Sequence, residues 1–238
     1  MKQPVRWNAY KSMFKKQTAL ATENSFEQYC QKNDIEYLKL DLQKNEAARK
    51  KYLTKPTKKC PDFWCKKEGK EIFVEIKTLT NFTNQKRQTI IDARIKKIRA
   101  NKLYGGFISE PFDPNIELEI PFTTYLKDAS NKFKNINTTF RHPRILFIDG
   151  IKIPGVSFSM NSIFHGTHPS FTRNGVGKLI KTKHSLFDKT GSNVSALIYW
   201  NEDENCFFGL ENYNAQISFP DDYFKNFFDK TKIYHYIT

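Results

Sequence analysis

The sequence predicts an α/β fold, a central mixed β-sheet flanked by helices, and three observations carry that expectation. Helix-like and strand-like segments alternate along much of the 238 residues, the pattern that lays helices over the faces of a sheet. At residues 61–78 a polar turn, Glu68-Gly69, separates two β-like runs, and the second run has one wholly apolar face, Ile72, Val74 and Ile76. Arg144-Ile145-Leu146-Phe147-Ile148-Asp149 then reads as a buried strand ended by Gly150.

Taken in order, Trp7 to Lys32 reads as helix, with Tyr10, Phe14, Leu20, Phe26 and Cys30 roughly on one stripe. Ile35 to Leu40 is a short strand, and Gln43 to Tyr52 a second helix. The basic loop Thr54 to Lys59 leads into the hairpin. Gln85 to Leu103 reads as a long helix with Ile90, Ile91, Ile95 and Ile98 inward and its basic residues outward. Phe122 to Phe133 is helical, and residues 165–193, rich in Gly, Ser, Thr and His, read as a long loop. Ser195 to Trp200 and Cys206 to Leu210, flanking a polar turn, suggest a closing hairpin. These elements are expected to form one domain over 1–238, with a core at about 12–104 and residues 105–238 completing sheet and loops.

The hairpin carries the chemistry. Strand side chains alternate faces, so Phe73, Glu75 and Lys77 share one face and the apolar trio the other. With Glu68-Gly69 as a two-residue turn, Lys67 pairs with Lys70, and the same register sets Asp62 opposite Glu75. Two carboxylates facing each other across a ladder are destabilising. A cation between them relieves the repulsion, and hard oxygen ligands suit Mg²⁺, with Mn²⁺ as a substitute.

Pro61-Asp62 followed by Glu75-Ile76-Lys77 resembles the PD-(D/E)xK nuclease superfamily. The order helix, strand, hairpin, helix over roughly residues 12–104 is similar to that family's restriction-endonuclease-like core. The resemblance implies a further carboxylate on the preceding helix. Glu23 has apolar Phe26 and Cys30 three and seven positions on, whereas Glu27 has Cys30 and Asp34, so Glu23 is the favoured candidate. It also implies that Asp62 and Glu75, assisted by the Ile76 carbonyl, hold one or two Mg²⁺ ions. Lys77 would then orient the attacking water or offset charge at the phosphate. Lys132 is a further candidate, approaching from a later helix.

Charge points the same way. The formal net charge is +14, and residues 1–104 hold 25 Lys/Arg against 11 Asp/Glu, which accounts for all of it. Such a field attracts polyanions, nucleic acid above all, and Lys86, Arg87, Arg94 and Lys97 are candidates to grip phosphates. The four cysteines are too few and too scattered for a disulfide framework, and Cys60 and Cys65 lack a nearby second pair for zinc. Gly175-Val176-Gly177-Lys178 fails as a phosphate-binding loop, with Thr172 where its first Gly belongs and Leu179 where Ser or Thr is needed. No apolar run approaches a membrane span, and the N-terminal residues lack a signal peptide's apolar stretch, so the expected compartment is the cytoplasm.

The function expected from the sequence is a metal-dependent endonuclease acting on DNA, of restriction, repair or mobile-element type. A symmetric homodimer would suit cutting of both strands of a duplex. The alternatives are a non-cutting nucleic-acid-binding module of the same fold and a basic RNA-associated protein.

Overall fold

The computed structural model describes residues 20–79, 93, 96, 100, 114–149, 156–172, 175–181, 185–201, 206–228 and 232–233. Helix α1 covers residues 20–32. It ends where Asp34 takes a left-handed conformation (φ 55°) and the Ile35 amide donates back to the Cys30 carbonyl, a local closure that Asp tolerates better than most residues. Strand β1 (Glu36–Lys39) follows, then a short 3₁₀ turn (Gln43–Asn45) and α2 (Glu46–Tyr52).

The hairpin of β2 (Phe63–Lys67) and β3 (Lys70–Thr78) has the anticipated register, Lys67 opposite Lys70 and Phe63 opposite Val74. Its turn places Glu68 at φ 49° and Gly69 at φ 78°, the pair of left-handed residues that a tight hairpin turn of primed type requires. β4 (Arg144–Asp149) adds parallel to β3, with Glu75 beside Leu146 and Thr78 beside Asp149. β7 (Ala196–Asn201), β8 (Cys206–Glu211) and the two-residue β9 (Lys232–Ile233) complete an open mixed sheet in the order β1-β2-β3-β4-β7-β8-β9. Strands from both halves of the chain thus share one sheet.

Two apolar layers cover its faces. On one, Phe26 and Cys30 of α1 pack with Ile72, Val74, Ile76, Phe147 and Ile198. On the other, helix α3 (Pro114–Phe133) lays Leu118, Phe122, Leu126, Ala129 and Phe133 against Phe73, Leu146, Ile148 and Leu197. These five positions recur at helical spacing, which is why α3 docks by one stripe.

Several elements differ from the sequence expectation. Helix α3 starts at Pro114 rather than Phe122 and continues through Pro121; an internal proline loses one hydrogen bond, here with the buried Leu118 and Phe122 on either side of it to anchor the helix. The expected loop at 165–193 instead holds a separate two-stranded sheet, β5 (Thr167–Thr172) and β6 (Gly175–Lys181). Its glycines and Pro169 masked a hairpin whose register shifts between Pro169 and Phe171. A short helix, α5 (Leu186–Thr190), follows and is capped by the Ser185 hydroxyl. Helices α4 (Val156–His165) and α6 (Asp221–Phe227) had no counterpart in the sequence reading. The expected helix at 85–103 lies, but for residues 93, 96 and 100, outside the described residues.

Candidate active site

The site lies on the α3 side of the sheet, where β3 turns polar. Glu75 and Lys77 occupy the same face as buried Phe73, so alternation alone drives a carboxylate and an ammonium into the layer between sheet and helix. Asp62 immediately precedes β2, and the hairpin register brings it across from Glu75. One oxygen of Asp62 accepts from the Ile76 amide at 2.8 Å. That bond fixes the carboxylate against the neighbouring strand.

Helix α3 supplies the rest. Tyr125, Asp128 and Lys132 recur at three- and four-residue intervals and so share one helix face. The Tyr125 hydroxyl donates to the Thr78 carbonyl at 3.1 Å. Asp128 Oδ2 lies 2.5 Å from Lys77 Nζ. Lys132 Nζ lies 2.6 Å from Glu75 Oε1 and 3.2 Å from Asp62 Oδ1. The helix therefore descends β3 contact by contact, from Thr78 to Lys77 to Glu75, and ends on the two opposed carboxylates. Lys77 Nζ also reaches Glu75 Oε1 at 2.7 Å.

The electrostatics are uneven. Glu75 is fully buried, and its Oε2 has no hydrogen-bond partner among the described residues. Burial, with the Asp62 charge adding to it, pushes its pKa up to about 7 despite the two ammonium groups. Burial opposes the charged form of Lys132, yet Asp62 and Glu75 outweigh it and hold this lysine above its usual range. The same balance, with Glu75 and Asp128, raises Lys77. Asp128 is partly desolvated, but its bond to Lys77 keeps its carboxyl below the ordinary value. Asp41, just beyond β1, is raised by burial and by the Asp62 charge, which places it in the same electrostatic neighbourhood.

Of the residues singled out from the sequence, Asp62, Glu75 and Lys77 converge. Ile76 joins them through its N–H. Lys132 arrives from the later helix. Glu23 does not join them, contrary to expectation: its carboxylate sits 2.9 Å from Lys39, which Glu27 also contacts at 2.9 Å. Among the described residues no hydrogen bond or ion pair links Glu23 to Asp62, Glu75 or Lys77. The reason is sidedness, because α1 packs through Phe26 and Cys30 on the opposite face of the sheet. Lys86, Arg87, Arg94 and Lys97 lie outside the described residues. Asp128 was missed, although its position four residues before Lys132 is a sequence signal for a shared helix face.

For a divalent cation, the donor set is mixed in quality. Two carboxylates already share one cation, the Lys132 ammonium, and the orphaned Glu75 Oε2 is a buried acceptor of the hard type that Mg²⁺ prefers. No group of three or more His, Cys, Asp or Glu side chains poised for a metal occurs among the described residues. Cys30, Cys60 and Cys65 are buried free thiols, and no described helix is long and apolar enough to cross a membrane. Compared with family models, with curated proteins and with solved structures, the chain matches none.

Proposed function

We propose that the protein is a divalent-metal-dependent endonuclease of restriction-endonuclease-like fold, hydrolysing phosphodiester bonds with DNA as the favoured substrate. The observation that carries this reading is the pair of opposed carboxylates, Asp62 and Glu75, sharing a single cation position in the sheet–helix layer. A core-facing glutamate with an unpartnered oxygen is poor design for stability, and strongly perturbed carboxylates of this kind mark functional sites. The +14 net charge gives the chain an affinity for polyanions.

In this reading Asp62 and Glu75 would hold Mg²⁺, with the Ile76 carbonyl as a candidate further oxygen. A divalent ion held there would supply a water of lowered pKa and positive charge to offset that on the scissile phosphate. Lys77, held by Asp128, presents its ammonium to the developing negative charge. It remains protonated, since its neighbours raise its pKa, and it therefore serves as an electrostatic group rather than as a base. Lys132 neutralises the carboxylate pair in the metal-free protein.

One observation favours a second reading. Lys132 already bonds one oxygen of each carboxylate, an arrangement that suits a nucleic-acid-binding module that does not cut. Incubation with plasmid and Mg²⁺ separates the two. Cleavage by the wild type, abolished by Glu75→Ala and strongly slowed by Lys77→Ala, supports the nuclease. Binding without cutting in Mg²⁺ or Mn²⁺ supports the binding module.

A further inference from the structure

A pocket opens on the other face of the sheet, at the carboxyl edge of the parallel strands. Its volume is about 200 Å³, below the range typical of drug-sized ligands and on the scale of a single ring system. Phe26, Phe147, Trp200 and Phe207 form its walls, with Thr22 and Asp149 at its polar side. The rings are mutually braced: Phe26 and Phe147 centroids lie 5.5 Å apart, and Trp200 and Phe207 4.7 Å apart in an edge-on arrangement. Aromatic walls so fixed offer a stacking surface at little entropic cost.

The polar side is equally specific. Asp149 Oδ2 accepts from the Thr22 hydroxyl at 3.1 Å, and Thr22 in turn accepts from the Thr78 hydroxyl at 2.9 Å. This chain fixes the Asp149 carboxylate at the pocket. Asp149 pairs with Thr78 in the β3–β4 ladder, three residues beyond Glu75. At about 3.3 Å per strand residue, the pocket therefore lies roughly 10 Å along β3 from the carboxylate pair. Ligands of open α/β sheets bind at this carboxyl edge.

We infer that this pocket receives one unstacked nucleobase of a nucleic-acid strand held at the Asp62–Glu75 site. The aromatic walls stack the base, and Asp149 reads its hydrogen-bonding edge. A fixed carboxylate only accepts hydrogen bonds, so it selects bases that present N–H donors. Guanine, with adjacent N1–H and N2–H₂ groups, matches it in bidentate fashion, whereas thymine offers a single N–H flanked by carbonyls. Stacking on aromatic side chains and hydrogen bonding at the Watson–Crick edge are the general means of holding an extruded base. This inference rests on the nucleic-acid reading of the neighbouring site, and it adds a preference for one class of base near the scissile bond.

The test is binding of the full chain to single-stranded 12-mers in EDTA, comparing oligothymidine with the same strand carrying one central guanine. The expected result is at least tenfold tighter binding of the guanine-containing strand. That preference falls to about unity in Asp149→Asn and in Ser25→Trp, where an exposed helix residue lining the pocket is enlarged to fill it. Both variants should keep the wild-type melting temperature within a few degrees, and Ser25→Trp removes no core contact. A wild-type preference near unity, or one that survives both substitutions, overturns the inference. Parallel assays with Mg²⁺ distinguish the two proposals: guanine preference without cleavage sinks the nuclease alone, and cleavage without preference sinks the pocket alone.

Discussion

Lys39 and Lys132 are each shared by two carboxylates, and the contrast between them is instructive. Lys39 bridges Glu23 and Glu27 at the rim of α1, with side-chain exposures of 13, 24 and 25 %. Lys132 bridges Asp62 and Glu75 beneath α3, and there Glu75 is 0 % exposed. In the first cluster solvent reaches every member, and the two glutamates lie one helical turn apart on the same helix. In the second, a carboxylate is locked in the core with one oxygen unpartnered among the described residues and its pKa pushed up to about 7. The rim cluster is ordinary surface pairing, of modest energetic consequence. The buried one retains an unfavourable charge, which stability alone gives no reason to keep.

The largest effects expected from this contrast are on cleavage. Glu75→Ala should reduce plasmid nicking below detection. Lys77→Ala, which removes the ammonium that the nuclease reading sets against the phosphate, should slow it by on the order of 10²–10³. Gel assays over a range of Mg²⁺ check both. Cleavage that survives Glu75→Ala would make the buried cluster a structural feature like the rim one.

Next come effects on stability. Lys132→Met removes one partner of a buried ion pair and leaves Asp62 and Glu75 facing each other. A loss of about 3–5 kcal/mol at pH 8 is expected from denaturant unfolding. Glu75→Gln should behave in the opposite way. A carboxyl whose folded pKa is raised from 4.5 to about 7 binds its proton more tightly in the folded state. Its contribution is therefore most favourable below pH 4.5, declines as pH rises through the window to 7, and stays unfavourable above it. Relative to that carboxylate, glutamine mimics the protonated form. Glu75→Gln should melt no lower than the wild type at pH 8, and the advantage should shrink toward pH 5. A large destabilisation at pH 8 would mean that the charge of Glu75 supports the fold.

The smallest effect belongs to the rim. Glu23→Gln and Glu27→Gln should each cost less than about 1 kcal/mol and change cleavage by less than threefold. A cleavage loss from Glu23→Gln comparable to that from Lys77→Ala would restore Glu23 to the site.

Much of this arrangement was legible in the chain, for identifiable reasons. Hairpin register follows from a two-residue turn and strict alternation, so the opposition of Asp62 and Glu75 could be counted from Glu68-Gly69. Arg144–Asp149 was legible because a short apolar run bounded by Gly150 has few alternatives. Glu23 was misplaced because helical spacing fixes which residues share a face but not which side of the sheet that face covers. Phe26 and Cys30 settle the side only through contacts distant in sequence. Asp128 and Lys132 are distant from the hairpin in the chain, and only the docking of α3 brings them to β3. The β5–β6 pair was hidden because Gly, Pro and Ser are turn formers by local propensity, and pairing between the two strands overrides that preference.

The most direct test is calorimetric titration of the wild type with Mn²⁺ at pH 8, where Glu75 is ionised, beside Asp62→Asn and Glu75→Gln. The account predicts saturable uptake of one or two ions by the wild type, with proton release on titration near pH 7, and none by either variant. No uptake by the wild type, even with an oligonucleotide present, would contradict it.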